Sequence, residues 1–147
     1  MSPVAIVVVV GAGVFLLLFV AFMLVRQMAA AREREARERF PNARMLLPNV
    51  NFFGQQSLGV MQGRGNGTMV LTDSELHYER WLPRKAFRVT LAAIDSIETP
   101  TSFLGKTMFR PLLKVNFKND AGQPDAMAWL VPDLDGTKRT IEAAINR

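Results

Sequence analysis

No cysteine occurs in the 147 residues, and there is only one histidine. The first absence excludes a disulfide framework, a thiol nucleophile and any cysteine-held metal. The second excludes a multi-histidine centre. Charge is also missing, but only locally: none of the 18 Lys+Arg or 13 Asp+Glu precedes Arg26. The 49% hydrophobic content is therefore unevenly spread. An uncharged first segment is joined to a mixed remainder of single-domain size. The lack of cysteine fits a reducing compartment.

The uncharged stretch from Val4 to Val25 reads VAIVVVVGAGVFLLLFVAFMLV. As a helix it measures about 33 Å, enough to cross a ~30 Å hydrocarbon core. It has no polar face, which a soluble amphipathic helix would need. A cleaved signal peptide would carry positive charge ahead of a run of ~7–15 residues. Here Met-Ser-Pro precedes a longer run, so residues 4–25 are expected to be an uncleaved transmembrane helix. Gly11 and Gly13 lack the small-xxx-small spacing of a helix-pairing face, since Phe15 and Leu17 stand where partners would be. Arg26, Arg32, Arg34, Arg37 and Arg39 follow within about 15 residues, and no basic residue precedes the run. Positive charge stays on the cytoplasmic side. The expected topology is single-pass in a plasma or inner membrane, N-terminus outside and residues 26–147 cytoplasmic.

Residues 26–40, RQMAAAREREARERF, are strong helix formers ending before Pro41. Glu33 with Arg37 and Glu35 with Arg39 are spaced for surface ion pairs, and Arg34 with Glu38 for a weaker one. The interleaved acids argue against a lipid-binding polybasic segment, and no apolar heptad seam suggests a coiled coil. A solvated stalk of about 22 Å is expected. Residues 41–55 (PNARMLLPNVNFFGQ) read as a connector punctuated by Pro and Asn. Met45-Leu46-Leu47 and Phe52-Phe53 are too apolar for a free linker, so they should pack on the domain or lie at the membrane surface.

From residue 56 to 147 the apolar period becomes two. Strands are predicted at Thr68–Leu71, Glu75–Arg80 (Leu76 and Tyr78 inward, His77 outward), Ala86–Leu91, around Leu113/Val115/Phe117, and around Met127/Trp129/Val131. Turn-forming clusters separate them at Gln62–Gly67, Pro83–Lys85 and Asn119–Pro124. Short strands at close spacing indicate an antiparallel sandwich or barrel. After Pro132, Asp133 is a natural N-cap, and Leu134, Ile141 and Ile145 recur at helical spacing. That helix should plug one end of the strand layer.

The segments GNGTMVLTDSELHYER, RVTLAAIDSIET and LLKVNF, followed by the terminal helix, resemble the pleckstrin-homology/GRAM-like fold of bacterial membrane-associated proteins. The resemblance covers about residues 57–146. It implies a strongly bent sheet of about seven strands capped by a helix, used to bind lipid headgroups or protein and not to catalyse. Lipid-binding members carry several Lys/Arg around the first strand–strand loop, where this chain has only Arg64.

Candidate contacts follow from these loops. Arg64 with Trp81, Arg84 and Lys85 would form one tip, with a ring at the headgroup boundary and cations on phosphates. Phe103, Lys106, Phe109 and Arg110 would form a second. The Gln62–Gly67 glycines lack the helix and Lys-Ser/Thr of a phosphate loop, so they read as hairpin glycines. His77 lies between Glu75 and Glu79 without a nucleophile, and reads as a solvated histidine of raised basicity. Asp133 and Asp135 lack further ligands at calcium-loop spacing. The +5 charge forms no basic stripe with interleaved aromatics, so nucleic acid is not indicated. No catalytic residue, cofactor, metal or small-molecule substrate is expected. The expected partners are the lipid bilayer and a protein docked at the membrane, with anionic headgroups as the alternative ligand.

Overall fold

The computed structural model describes residues 1–147. Helix α1 spans Pro3–Arg39 without interruption. Ser2 caps it, its hydroxyl accepting from the Ala5 amide at 3.2 Å, and Pro3 suits the first turn because its missing N–H has no partner to lose. The helix ends at Phe40, whose amide donates to Ala36 O at 2.9 Å, immediately before Pro41. This one helix is long and apolar enough to cross a membrane.

The module contains β1 (Met45–Gln55), β2 (Gly65–Leu71), β3 (Glu75–Arg80), β4 (Lys85–Thr90), β5 (Ile94–Glu98), the short pair β6 (Ser102–Phe103) and β7 (Lys106–Thr107), β8 (Leu113–Lys118), β9 (Pro124–Leu130) and α2 (Leu134–Ile145). Seven strands make one antiparallel sheet in the order β4-β3-β2-β1-β9-β8-β5, and β6-β7 form a separate hairpin. The sheet bends into a sandwich-like layer but does not close: β4 and β5 remain its edges. The expectation of a sandwich or barrel thus resolves to an open sheet.

One segment differs from its expected role. Residues 45–55, taken as connector, form the central strand β1, which pairs with β2 on one side and β9 on the other. The alternation was obscured because the strand carries two irregularities. Its register with β2 shifts between Leu47 and Val50, where Pro48 has no amide to give and Asn49 adopts a φ of 60°. Its register with β9 shifts between Phe52 and Gly54, and Gly54, at φ 132°, takes a conformation other residues avoid. These bulges bend β1 so that it serves both halves of the sheet.

The main core lies inside the bend. Phe52, Tyr78, Phe87 and Trp129 cluster with ring centroids 4.5–6.3 Å apart. The Tyr78 hydroxyl donates to Val50 O at 2.9 Å, and burial raises its pKa. Helix α2 closes one end: the Asp133 side chain accepts from the Gly136 amide at 3.0 Å, Ile141 is fully buried, and Leu134 and Ile145 pack partly buried beside it. A second cluster of Phe53, Phe103, Leu112, Ala126 and Ala128 lies on the other side of β1, β8 and β9, under the β6–β7 hairpin.

Candidate functional site

Strand alternation puts Met69 and Leu71 of β2, and Leu76 and Tyr78 of β3, in the main core. Their neighbours Thr68, Val70 and His77 must face the opposite way, yet they are only 3%, 1% and 4% exposed. Trp81 joins this outer face, because its indole Nε1 donates to Thr68 Oγ1 at 3.1 Å, and it too is 5% exposed. What covers Thr68, Val70 and His77 is the last part of α1. Arg32, Glu35, Ala36, Arg39 and Phe40 meet Thr68, Val70, His77 and Glu79 with a residual space of only ≈ 10 Å³, barely a water's worth. The Phe40 ring lies 4.9 Å from the His77 ring. The stalk expected to be solvated is therefore part of the fold, seated on the sheet.

Charges frame this contact. Arg84 pairs with Glu35 of the stalk and with Glu79 of β3 at 3.0 Å, and Arg39 reaches Glu79 at 3.3 Å. Within the stalk, Arg37–Glu33 is 2.6 Å, Arg32–Glu35 3.0 Å and Arg39–Glu35 3.9 Å, while Arg34 and Glu38 do not pair. The hydrogen bonds from Arg84 and then Arg32 hold the Glu35 carboxyl below its ordinary range. Each exposed pair contributes little alone, so the apolar contact carries the docking and the charges set its register.

His77 is corrected with it. Burial, and then the Arg39 charge, push its pKa down, and these outweigh Glu75 and Glu79, which pull it up. Arg39 Nη2 can only donate, so His77 Nε2, 3.5 Å away, accepts. The neutral ring then carries its proton on Nδ1, which is buried without a partner.

The two predicted tips are rearranged. Trp81 is inside, not at a surface, and Arg84 is engaged by two carboxylates. Arg64 lies over the Phe53 ring at 4.3 Å with its Nη2 donating to Asn51 Oδ1 at 3.0 Å. Lys85 remains exposed, its ammonium 5.1 Å from the Phe87 centroid. In the second group Phe103 is buried and Lys106 Nζ donates to Phe53 O at 3.3 Å, leaving Phe109 and Arg110 exposed. Arg26, Arg34 and Arg37 are exposed, whereas Arg32 and Arg39 belong to the docked face.

Asp125, near the start of β9, is 4% exposed. It accepts from Gln55 Nε2 at 2.6 Å, from the amide and hydroxyl of Ser57 at 2.9 and 2.6 Å, and from the Ala126 amide at 2.8 Å. Burial pushes its pKa up, but these donors outweigh it and the net direction is down. The carboxylate fastens the end of β1 to β9.

The open feature is at the sheet edge. The free side of β4 faces a cleft of ≈ 710 Å³, bounded by Lys85, Arg88 and Thr90 on one wall and by Phe117, Asn119 and Asp120 on the other. An edge strand leaves a row of unpaired N–H and C=O groups, and Lys85 and Arg88 discourage indiscriminate pairing there. The sequence held one clue to the covered face: Thr68-Met69-Val70-Leu71 does not alternate in polarity, as a strand covered on both sides need not. Nothing local marked β4 as the edge, because strand order depends on pairing.

No protein-family model matches the chain, and no curated protein matches it. Solved structures do. The C-terminal domain of an unknown protein from Leishmania infantum superposes with a TM-score of 0.56 at 15% identity, over 78% of this chain and 98% of that one. A chain of the 8S snRNP assembly intermediate superposes with a TM-score of 0.51 at 11% identity, over 71% of this chain and 80% of that one. At such identities the likeness establishes a shared fold and nothing about activity.

Proposed function

We propose that this chain is a single-pass membrane adaptor whose pleckstrin-homology-like module, on the cytoplasmic side of the plasma or inner membrane, binds an extended segment of a protein partner. The observation that carries this reading is the free β4 edge beside a cleft of ≈ 710 Å³. A peptide entering it would add a strand to β4, with main-chain hydrogen bonds supplying affinity and alternate side chains meeting the walls. Lys85, Arg88 and Lys118 against Glu75 and Asp120 leave the walls slightly basic, which favours a segment with some acidic character. The arginines that follow the apolar helix support the orientation. Tethering raises the local concentration of such a site, so modest affinity suffices.

The alternative, headgroup recognition by the loops around Arg64 and Trp81–Lys85, loses support because Trp81 is buried and Arg84 is doubly paired, which leaves only Arg64 and Lys85 exposed. A photo-crosslinking residue at Ala86 tests the proposal in cells. A reproducible protein adduct, lost when Arg88→Glu reverses the wall charge, is the expected result. Adducts confined to lipid, or adducts indifferent to Arg88→Glu, would refute the strand-addition site.

A further inference from the structure

The hydrogen bonds around β3 decide which atoms of β4 are free. Leu91 N donates to Ser74 O at 2.9 Å, in step with the Glu75↔Thr90 register. In an antiparallel pair, residues that exchange both hydrogen bonds alternate with residues that exchange none. Val89, Phe87 and Lys85 therefore bond to β3, and the amides and carbonyls of Ala86, Arg88 and Thr90 point out of the sheet edge. The other side of β3 agrees. Thr72 N donates to Glu75 O and Trp81 N to Asn66 O, so β3 uses its odd-numbered residues for β2 and its even-numbered ones for β4.

Side chains follow the same alternation. Phe87 and Val89 face the core, and Lys85 shares their face, its ammonium 5.1 Å from the Phe87 centroid. Ala86, Arg88 and Thr90 are exposed on the outer face. Residues directly opposite each other across a pair of strands share a face. A strand added here would thus place residues opposite Ala86, Arg88 and Thr90 outward, and residues opposite Phe87 and Val89 inward, in the cleft.

The two faces differ in chemistry. Inside, the cleft is lined by Phe87, Val89, Phe117 and Met127, with Leu58 half-exposed among them. Outside, Arg88 stands across from His77 and not from a carboxylate. Thr90 stands across from Glu75, and Ala86 from Glu79, which Arg84 and Arg39 already engage. The uncompensated charge at the middle of the edge is that of Arg88.

We infer that the β4 edge selects an antiparallel segment of the order apolar–acidic–apolar, with its carboxylate opposite Arg88 and its apolar side chains opposite Val89 and Phe87. This rests on the strand-addition reading above and adds a register and a sequence class to it. An acid opposite Thr90 would meet Glu75, so a cation or a neutral residue precedes the triplet. Lys-Val-Glu-Val-Thr, from N- to C-terminus, satisfies every position.

The probe is a fluorescein-labelled peptide, Ser-Lys-Val-Glu-Val-Thr-Ser, titrated with the full-length chain in detergent and followed by polarisation. It should bind at least roughly tenfold tighter than its isomer Ser-Lys-Val-Val-Glu-Thr-Ser, which turns the acid inward. Arg88→Glu should weaken it roughly tenfold, since an attractive cross-strand pair becomes a repulsive one. A peptide with Lys in place of Glu should bind the Arg88→Glu chain better than the parent, a rescue that misfolding of the variant could not give. No binding, equal binding of the two isomers, or indifference to Arg88→Glu would overturn the inference. Backbone N-methylation separates these failures from failure of strand addition itself. At the peptide Glu, whose amide would donate to Arg88 O, it should cost roughly tenfold or more; at either Val, whose amide points away from β4, it should cost little. That alternation without any sequence preference would keep strand addition and refute the selectivity. Uniform tolerance of N-methylation would refute both.

Discussion

Truncating Trp81 to alanine removes an indole that is 5% exposed and whose Nε1 donates to Thr68 Oγ1 at 3.1 Å. Buried Trp→Ala changes cost about 3–5 kcal/mol. The indole sits just past the end of β3 beside Thr68, next to loop residues that can settle into part of the space, so the lower end, about 3 kcal/mol, is expected. Thr68 Oγ1 also loses its donor, which adds up to about 1 kcal/mol. For a domain of this size the sum corresponds to a fall of roughly 10–15 °C in the melting temperature. Trp81→Phe keeps a ring and loses the donor, and should cost about 1–2 kcal/mol. The assay is thermal unfolding of the full chain in detergent, followed by the emission of Trp129, which is buried in the main core and is the other of two tryptophans. A surface ring placed for lipid contact would behave differently, with a change under about 0.5 kcal/mol. A Trp81→Ala melting temperature within a degree or two of the parent would refute the interior placement of the indole.

The folded pKa of His77 lies below its ordinary value of 6.5, so the docked state favours the neutral ring. Its contribution to stability is complete above that value and is lost as pH falls through the folded pKa. Unfolding midpoints measured from pH 7.5 down to 5 should decline in the parent and stay flatter in His77→Phe. Asp125→Ala strands the amide and hydroxyl of Ser57 and should cost about 3 kcal/mol or more by urea denaturation; because the folded pKa is depressed, the parent's own loss should begin only as pH falls toward and below 3.8. At Gly67 a β-carbon would overlap the Glu79 carbonyl and the Tyr78 ring. Gly67→Ala should therefore cost at least about 3 kcal/mol, whereas Gly63→Ala, with open space around it, should change the melting curve by less than about 0.5 kcal/mol.

Much of the architecture was written locally. Twenty-two uncharged, apolar residues suffice for a helix long and apolar enough to cross a membrane, and the Phe40-Pro41 boundary follows from the clash proline makes with a preceding helical residue. Alternation at β3, β4, β8 and β9 and the Asp133 cap needed no tertiary information, because burial on one face and a helix's first free amides are properties of a few neighbouring residues. What the chain order could not reveal was mutual covering. Residues 45–55 lose their alternation at Pro48 and Gly54, and only pairing with β2 and β9 makes them a strand. Trp81 and Arg84 look like an interfacial pair in isolation; in the fold the indole is buried with its Nε1 on Thr68, and Arg84 is paired with Glu35 of α1, 49 residues earlier in the chain. Burial and pairing depend on what lies across the contact, and sequence distance carries no record of that.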